Sequence, residues 1–228
     1  MNPAFNQTDT FESIARATYN ALTVMLNKRM SHGIQMQASY TLAKGTDNSP
    51  LTGTYIVGSG DDRLSDPSNL GRDKGVSPFN QTHTFIFSTV LAPRLEGKGA
   101  GAAILNNNQL GLIVQANSGL PFNIRANQDL NRDGLSNDRP LGIERNTGRL
   151  GRVFNVDGRY SRFVPMGRVR AELFAEAKNL FNTKNVATVN RVVATDAAGN
   201  LLAPLPAPFP ATGGYQQRQF QLGAKVTF

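Results

Sequence analysis

The sequence predicts an all-β protein: an antiparallel segment of a transmembrane β-barrel, with about seven meandering strands and long extracellular loops. Three observations lead to this prediction. Polar and apolar residues alternate with a period of two in several long segments, the connections between these segments are alternately short and long, and no stretch approaches the roughly 18 consecutive apolar residues of a membrane-spanning helix. A barrel is compatible with such a sequence, because its strands need apolar side chains on only one face.

The clearest alternation lies at the end of the chain, in residues 216–228. Gln219, Gln221 and Lys225 fall on one face, and the opposite face is apolar and carries Phe220, Leu222, Ala224, Val226 and Phe228. A tilted transmembrane strand needs roughly 9–11 residues, whereas strands of soluble proteins average about 5–6. This segment therefore has a membrane-spanning length, although a long edge strand of a soluble β-sandwich is the alternative for the segment taken alone.

Six further segments alternate in the same way, at residues 15–28, 34–42, 81–91, 109–117, 154–163 and 168–178. The last of these has five charged side chains on one face, which must contact water: Arg168, Arg170, Glu172, Glu176 and Lys178. The alternation predicts that Leu173, Ala175, Leu222 and Val226 contact lipid. It places on the lumen side Arg170, Glu176, Gln221 and Lys225.

The connections are sorted by length. Long loops follow the second, fourth and sixth strands, at residues 44–80, 123–151 and 180–214, and the first of them has a brief apolar interruption at Tyr55-Ile-Val57. Short turns follow the other strands, at residues 29–33, 93–101 and 165–167. Outer-membrane barrels have this asymmetry, with short periplasmic turns and longer extracellular loops, whereas a soluble sandwich has no reason to sort its connections onto one end.

Several function classes find no support in the residues. The net charge of +8 is spread along the chain without a basic cluster, which argues against nucleic-acid binding. The chain has no cysteine, no nucleophile motif and no convergence of titratable residues, so we do not expect an enzyme. The first residues, MNPAFNQTDTF, lack the basic and apolar regions of a secretory signal.

Four stretches of the chain resemble the C-terminal part of TonB-dependent outer-membrane receptors, specifically the subfamily that often carries a carboxypeptidase-regulatory-like domain. These stretches are Gln37-ASYTLAKG-Thr46, Asn117-SGLPFNI-Arg125, Asp138-Arg139-Pro140 and Ala175-EAKNLFNTKN-Val186. The final residues are similar to the signal that the barrel assembly machinery of the outer membrane recognises, through Gln221, Gly223, Val226 and Phe228.

The resemblance implies that residues 1–228 are the C-terminal part of a 22-stranded barrel in the outer membrane of a Gram-negative-type bacterium, which imports an unknown ligand. Its implied partners are outer-membrane lipid, the barrel assembly machinery, and the N-terminal remainder of a parent receptor with a plug, through which the TonB energy-transducing complex acts. Antiparallel closure needs an even number of strands, and seven leave two edges open, so we expect a piece of a larger protein. The alternatives are a secreted or surface all-β binding or adhesion module, and a different outer-membrane barrel such as a pore.

One loop motif has the pattern of a calcium site. Asp129, Asn131 and Asp133 place oxygen-bearing side chains at alternate positions before Gly134, as calcium loops do. The twelfth position, where such loops carry a bidentate Glu, is a proline, and Asp138 at the tenth position is the substitute ligand. The alternatives are therefore a weak calcium site, the only cofactor we expect, and a polar turn-forming loop.

Overall fold

The computed structural model describes residues 13–48, 64–66, 69–97 and 99–228. The predicted Tyr55–Val57 interruption and the residues Met1–Phe11 lie outside this part of the chain. In chain order the strands and the helix are β1 (Ala17–Ser31), β2 (Ile34–Asp47), β3 (Gly75–Val76), β4 (His83–Leu91), α1 (Ala100–Leu105), β5 (Asn108–Asn117), β6 (Pro121–Phe122), β7 (Arg125–Ala126), β8 (Gly148–Arg149), β9 (Val153–Met166), β10 (Val169–Lys178), β11 (Val186–Val189), β12 (Val192–Val193), β13 (Ala211–Gly214) and β14 (Gln219–Thr227). A 3-10 helix occupies Leu70–Asp73.

The predicted strands are confirmed. An antiparallel sheet has the order β1-β2-β4-β5-β9-β10-β14, and the short β3 pairs with β2 beside this path. Each long strand pairs with the next long strand along the chain, so the sheet is a meander whose outer edges belong to β1 and β14. No helix in the described residues is long and apolar enough to cross a membrane.

The strand register aligns the apolar residues across the whole sheet. One row of directly paired residues crosses six strands and consists of Ile34, Leu91, Leu110, Tyr160, Ala175 and Leu222. A second row crosses five strands and consists of Val24, Tyr40, Phe85, Ala116 and Phe154. Residues that pair directly lie on the same face of a sheet, so these rows form one continuous apolar face.

The opposite face of the sheet is polar. Gly111, Arg159, Glu176 and Gln221 form one paired row there, and Glu172 pairs with Phe163 and Lys225 in another. Several apolar side chains also lie on this face, among them Met25, Ile86, Val90, Ile113, Phe163 and Phe174. The grouping of residues onto two faces therefore follows the predicted alternation in most positions, with these residues as exceptions.

Two connections at the short-turn end differ from the prediction. Residues 93–101 are not a simple turn, because α1 begins at Ala100 and the connection continues to Asn107 before β5 starts. The reversal predicted at residues 165–167 lies slightly later: Pro165 is part of β9, opposite Arg170, and only Gly167 and Arg168 lie between the paired residues Met166 and Val169. Gly167 makes this two-residue turn possible, because its φ of +64° is a left-handed conformation that glycine adopts without steric cost.

The long loops also contain more structure than the sequence predicts. Within and between them, β6 pairs with β8, β7 with β12 and β11 with β13. These strands are short, and most of their partners are far away along the chain, so the local alternation of residue types does not predict them. The side chains with the least exposure in the described residues also lie here, namely Arg139, Asp138 and Pro140.

Candidate functional site

The three long connections lie at one end of the sheet and are joined to each other. They follow β2, β5 and β10, which run in the same direction through the meander. We refer to their described parts, residues 64–66, 69–82, 118–152 and 179–218, as the loop cap. Buried polar side chains hold the loop cap together through ion pairs and hydrogen bonds between the loops.

A buried ion pair joins the first two loops. Arg139 Nη1 lies 3.0 Å from Asp73 Oδ1, and the two side chains are 2% and 5% exposed. Arg139 Nη2 also donates to Ser65 Oγ at 3.1 Å and to the carbonyl of Arg72 at 2.5 Å. The other oxygen of Asp73 accepts the backbone N–H of Ser65 at 2.8 Å. Such a network fixes both loops, because a charge taken out of water is stable only when it is paired and hydrogen-bonded.

A second buried pair anchors the same loops to the sheet. Arg145 Nη1 donates to the carboxylate of Asp47, at the end of β2, and to the carbonyl of Asp73 at 3.1 Å. Next to it, Asn146 Nδ2 donates to the carbonyl of Val76 in β3 at 2.7 Å. The first loop is therefore held between β2 and the second loop by side chains of the second loop.

The third loop is attached by both backbone and side chains. Strand β12 runs parallel to β7 of the second loop, with Val192 opposite Arg125. Gln128 Nε2 donates to the carbonyl and to the hydroxyl of Thr195, each at 3.0 Å. Two aromatic rings, Phe122 and Phe209, meet edge to face with their centroids 5.1 Å apart. All three loops thus form one connected cap.

Asp196 closes a tight turn of the third loop. Its carboxylate accepts the side-chain N–H of Asn200 at 2.9 Å and the backbone N–H groups of Asn200 and Ala198, also at 2.9 Å each. These hydrogen bonds, with that of the Asn200 side chain first, hold the pKa of Asp196 below its usual value. The turn is therefore supported at neutral pH, and the support decreases as the pH falls through this lowered pKa.

The four stretches that resemble the receptor family all contribute to this end of the sheet. Arg139 belongs to the buried pair, and Asn179 and Asn185, which are 4% and 7% exposed, clamp the start of the third loop. Asn185 binds both backbone groups of Phe154, accepting its N–H and donating to its carbonyl at 2.9 Å each. Gly45, in the first stretch, donates its N–H to the buried side chain of Asn80.

The proposed calcium ligands form turn contacts. The carboxylate of Asp129 accepts the backbone N–H groups of Arg132 at 2.6 Å and Gly134 at 2.8 Å, and Asp133 Oδ1 accepts that of Leu135 at 2.8 Å. Asp138 is fully buried, and its Oδ2 accepts the N–H of Leu130 at 2.7 Å. Asn131 Oδ1 accepts the N–H of Asp133 at 3.0 Å. Within the described residues, no group of three or more His, Cys, Asp or Glu side chains is arranged to hold a metal ion. These contacts are those of an Asp-rich turn, and calcium binding stays a prediction.

This prediction has a direct test. If the loop binds calcium, its affinity should be that of extracellular modules, with a dissociation constant of about 10⁻⁴–10⁻³ M. Calorimetric titration of the protein with calcium should then give heat that is lost when Asp129→Ala and Asp133→Ala are combined. The control is Glu144→Ala, which removes an exposed carboxylate from the same loop and should leave the heat unchanged. Identical heats for all three proteins would mean that the loop is only a turn.

The polar face of the sheet carries a cluster of charges around an aromatic ring. Arg159 lies 2.9 Å from Glu172 and 3.6 Å from Glu176, and its guanidinium carbon is 3.9 Å from the centroid of the Phe174 ring. Glu172 also accepts the hydroxyl of Ser161 at 2.8 Å. These groups satisfy each other, so the cluster stiffens the wall formed by β9 and β10 and offers no free acid or base.

The comparison with known proteins decides what kind of sheet this is. A family model described as an outer membrane beta barrel domain matches residues 1–147, more than half of the 228-residue chain. The chain belongs to this family. No curated protein and no solved structure matches it significantly.

The barrel domain of the outer membrane includes the whole sheet, because the pairing of β5 with β9 continues it from the matched residues to β14. In such barrels the apolar face contacts lipid and the polar face lines the lumen, and this assignment of the two faces stays a prediction for the present sheet. The long connections of such barrels are extracellular and the short turns periplasmic, so the loop cap faces the outside of a Gram-negative-type cell. The alternative of a soluble β-sandwich is thereby set aside.

The residues of the predicted barrel-assembly signal lie along β14, which forms an edge of the barrel sheet. Gln221 pairs with Glu176, Gly223 with Phe174 and Val226 with Ala171, and Phe228 follows the strand with its side chain 96% exposed. Recognition by the assembly machinery stays a prediction. The structure adds a local reason for the glycine: a Cβ at position 223 would lie only 2.7 Å from Cε1 of Phe174.

We expect Gly223→Ala to destabilise the barrel by roughly 1–3 kcal/mol, the usual cost of overpacking. The Phe174 ring lies between Gly223 and Arg159, so it cannot move without weakening its contact with the guanidinium group. The measurement is urea unfolding of the protein in lipid vesicles.

The matched control for this variant is Gly111→Ala. Position 111 also lies on the polar face, but a Cβ there would come no closer than 3.9 Å to its nearest neighbour, the carbonyl oxygen of Arg159. An equal loss of stability in the two variants would contradict a specific role for the space beside Phe174. Recovery of stability when Gly223→Ala is combined with Phe174→Leu would support it.

Proposed function

We propose that this chain is the C-terminal part of the barrel of a TonB-dependent outer-membrane receptor that imports a ligand under the control of an N-terminal plug. The observation that carries the proposal is the position of the four resembling stretches. They are scattered through the sequence, yet all of them reach the extracellular end of the sheet, and the last three supply buried residues of the loop cap, including Arg139, Asn179 and Asn185. A receptor needs such a built extracellular surface to recognise its ligand.

The edges of the sheet support the larger barrel. Strand β1 pairs only with β2, and β14 pairs only with β10, within the described residues. An unpaired backbone N–H or C=O costs several kcal/mol in lipid, so transmembrane barrels close completely. Further strands between β14 and β1 would satisfy both edges.

The apolar residues on the lumen face support a plug. Ile86 in β4 and Ile113 in β5 are diagonal neighbours on this face. Met25 in β1 lies in the same paired row as Ile86, with Ser39 of β2 between them. These three side chains are 42%, 51% and 56% exposed, respectively. Water inside an open pore would contact them unfavourably, whereas a folded domain inside the barrel would cover them.

The transport proposal can be tested in the native bacterium. We expect strains that lack either this protein or the TonB complex to leave the same small molecules unconsumed in a defined medium, as measured by mass spectrometry of the culture fluid. The control is a strain with the gene restored on a plasmid. If the molecules spared by the deletion strain are still consumed without TonB, the protein is a passive pore and the proposal fails.

The size of the mature protein tests the parentage separately. An antibody against residues 118–152 should detect a band in outer membranes that is much larger than the 24.7 kDa of these 228 residues. A heat-modifiable, protease-resistant band at 24.7 kDa would instead mean that these residues form a barrel by themselves.

A further inference from the structure

A small cavity lies where the three loops of the cap meet. Its volume is about 210 Å³ and it opens to solvent. Arg72 of the first loop lines it together with Leu130 and Arg139 of the second and Gly199 of the third; Asn131, Leu141 and Ala198 complete the wall. No single loop can form this cavity, so it exists only because the loop cap is assembled.

The charged hydrogen-bond donors that the cavity offers to a ligand belong to Arg72. Arg139 is 1% exposed, and its Nη atoms are bound to Asp73, Ser65 and the carbonyl of Arg72. Arg72 uses Nη2 to donate to the carbonyl of Arg139 at 2.9 Å. Its side chain has no carboxylate partner among the described residues.

The chemistry of the wall favours an anion with a short apolar body. Arg72 and Arg139 line the cavity and no acidic residue does. The charge of Arg139 is compensated by Asp73, so Arg72 provides the cation. The nearby carboxylates of Asp129 and Asp196 are directed to backbone N–H groups of their own turns. Leu130 and Leu141 provide the apolar part of the wall. Guanidinium groups are suited to carboxylates, with which they form charge-assisted and frequently bidentate hydrogen bonds.

We propose that this cavity binds a carboxylate group attached to a small aliphatic side chain. The volume lies below the roughly 300–1,000 Å³ of pockets for drug-sized ligands, so the cavity accommodates either a free short-chain carboxylate or the C-terminal residue of a peptide. In both cases the carboxylate accepts hydrogen bonds from Arg72, and the aliphatic part lies against the two leucines. This site goes beyond the proposed function, since it requires only the loop cap and neither a plug nor energised import.

The test is equilibrium binding to the protein extracted from outer membranes, measured by calorimetry. The probes are 4-methylpentanoate, its uncharged isostere 4-methylpentanamide, and the dipeptide glycyl-leucine. We expect saturable binding of 4-methylpentanoate and at least tenfold weaker binding of the amide. Tighter binding of glycyl-leucine than of 4-methylpentanoate would assign the site to peptide C-termini, and the reverse order would assign it to free carboxylates.

Two variants locate the site and one serves as a control. Arg72→Met should weaken binding of 4-methylpentanoate at least tenfold, and Ala198→Phe should also do so by adding bulk to the cavity wall. Arg132→Met removes an exposed arginine of the second loop that does not line the cavity, and it should bind like the unmodified protein. Hydrogen exchange of the Ser65 and Leu130 amides reports whether each variant keeps the loop cap folded.

Three results would overturn the proposal: no binding of either carboxylate probe, equal binding of acid and amide, or unchanged binding in folded Arg72→Met and Ala198→Phe proteins. None of them bears on transport, because the spared molecules and the dependence on TonB are measured independently in cells. Failure of the transport experiment would likewise leave binding by the purified protein unaffected.

Discussion

Arg139→Met is expected to open the loop cap, with a loss of about 3–5 kcal/mol of local stability. The substitution keeps an aliphatic side chain but leaves the carboxylate of Asp73 buried without its cation. Removing one partner of a buried ion pair has this large effect because the remaining charge stays out of water and uncompensated. The change also removes the donors to Ser65 and to the carbonyl of Arg72.

Hydrogen exchange in outer-membrane preparations provides the measurement. A loss of about 3 kcal/mol corresponds to exchange roughly 100-fold faster for the backbone amide of Ser65, which donates to Asp73. The control is Arg132→Met, the same chemical change at an exposed position of the second loop, where the rate should not change. Combining Asp73→Leu with Arg139→Met should restore part of the protection of the Leu130 amide, which donates to Asp138, because no charge is then left unpaired. Unchanged exchange in Arg139→Met would mean that the ion pair does not hold the loops together.

Leu222→Arg is expected to destabilise the barrel by about 2–4 kcal/mol, the cost of a cation near the middle of the lipid-facing surface. Leu222 lies near the centre of β14, on the apolar face, with its side chain 82% exposed from the protein. It pairs with Ala175, whose row is apolar across six strands. The charge would therefore have no carboxylate in its own row to pair with.

The control for this substitution is its neighbour. Gln221 lies at the same depth but on the lumen face, opposite Glu176, so Gln221→Arg should cost much less. The measurement is equilibrium unfolding by urea of the protein refolded into lipid vesicles, with both variants and the parent in the same lipid. Equal losses of stability for the two variants would contradict the assignment of the two faces.

The seven long strands could be predicted because the two environments of a barrel strand select different residue types. Successive residues of such a strand face lipid and the lumen in turn, so apolar and polar side chains alternate in the sequence. Strands β1, β2, β4, β5, β9, β10 and β14 all follow this rule, and their chain order is also their order in the sheet. The sequence was less informative about Phe174, an aromatic residue within a charged face. Its contact with Gly223 depends on the register of the two predicted strands, which places these two residues opposite each other.

The calcium motif shows the limit of a local pattern. Asp129, Asn131 and Asp133 have the spacing of calcium ligands, but the same side chains also make good turn formers, since short Asp and Asn side chains bind nearby backbone N–H groups. In the structure those N–H groups are bound by these side chains, through contacts such as Asp129 with Gly134. The spacing of these residues does not distinguish a calcium site from a turn-forming loop. Titration of the protein with calcium is needed to decide between them.

By itself, the sequence determined the all-β class, the seven long strands, their two faces and the end of the sheet at which the long loops lie, because alternation and loop length are local properties. Only the tertiary structure decided how these loops are held. Asp73 and Arg139 are 66 positions apart, and Gln128 and Thr195 are 67 apart. Many carboxylates and arginines in the chain have equal intrinsic affinity for each other, and it is the backbone path that excludes water from one pair and leaves the others exposed. The loop cap and its cavity are therefore consequences of that path.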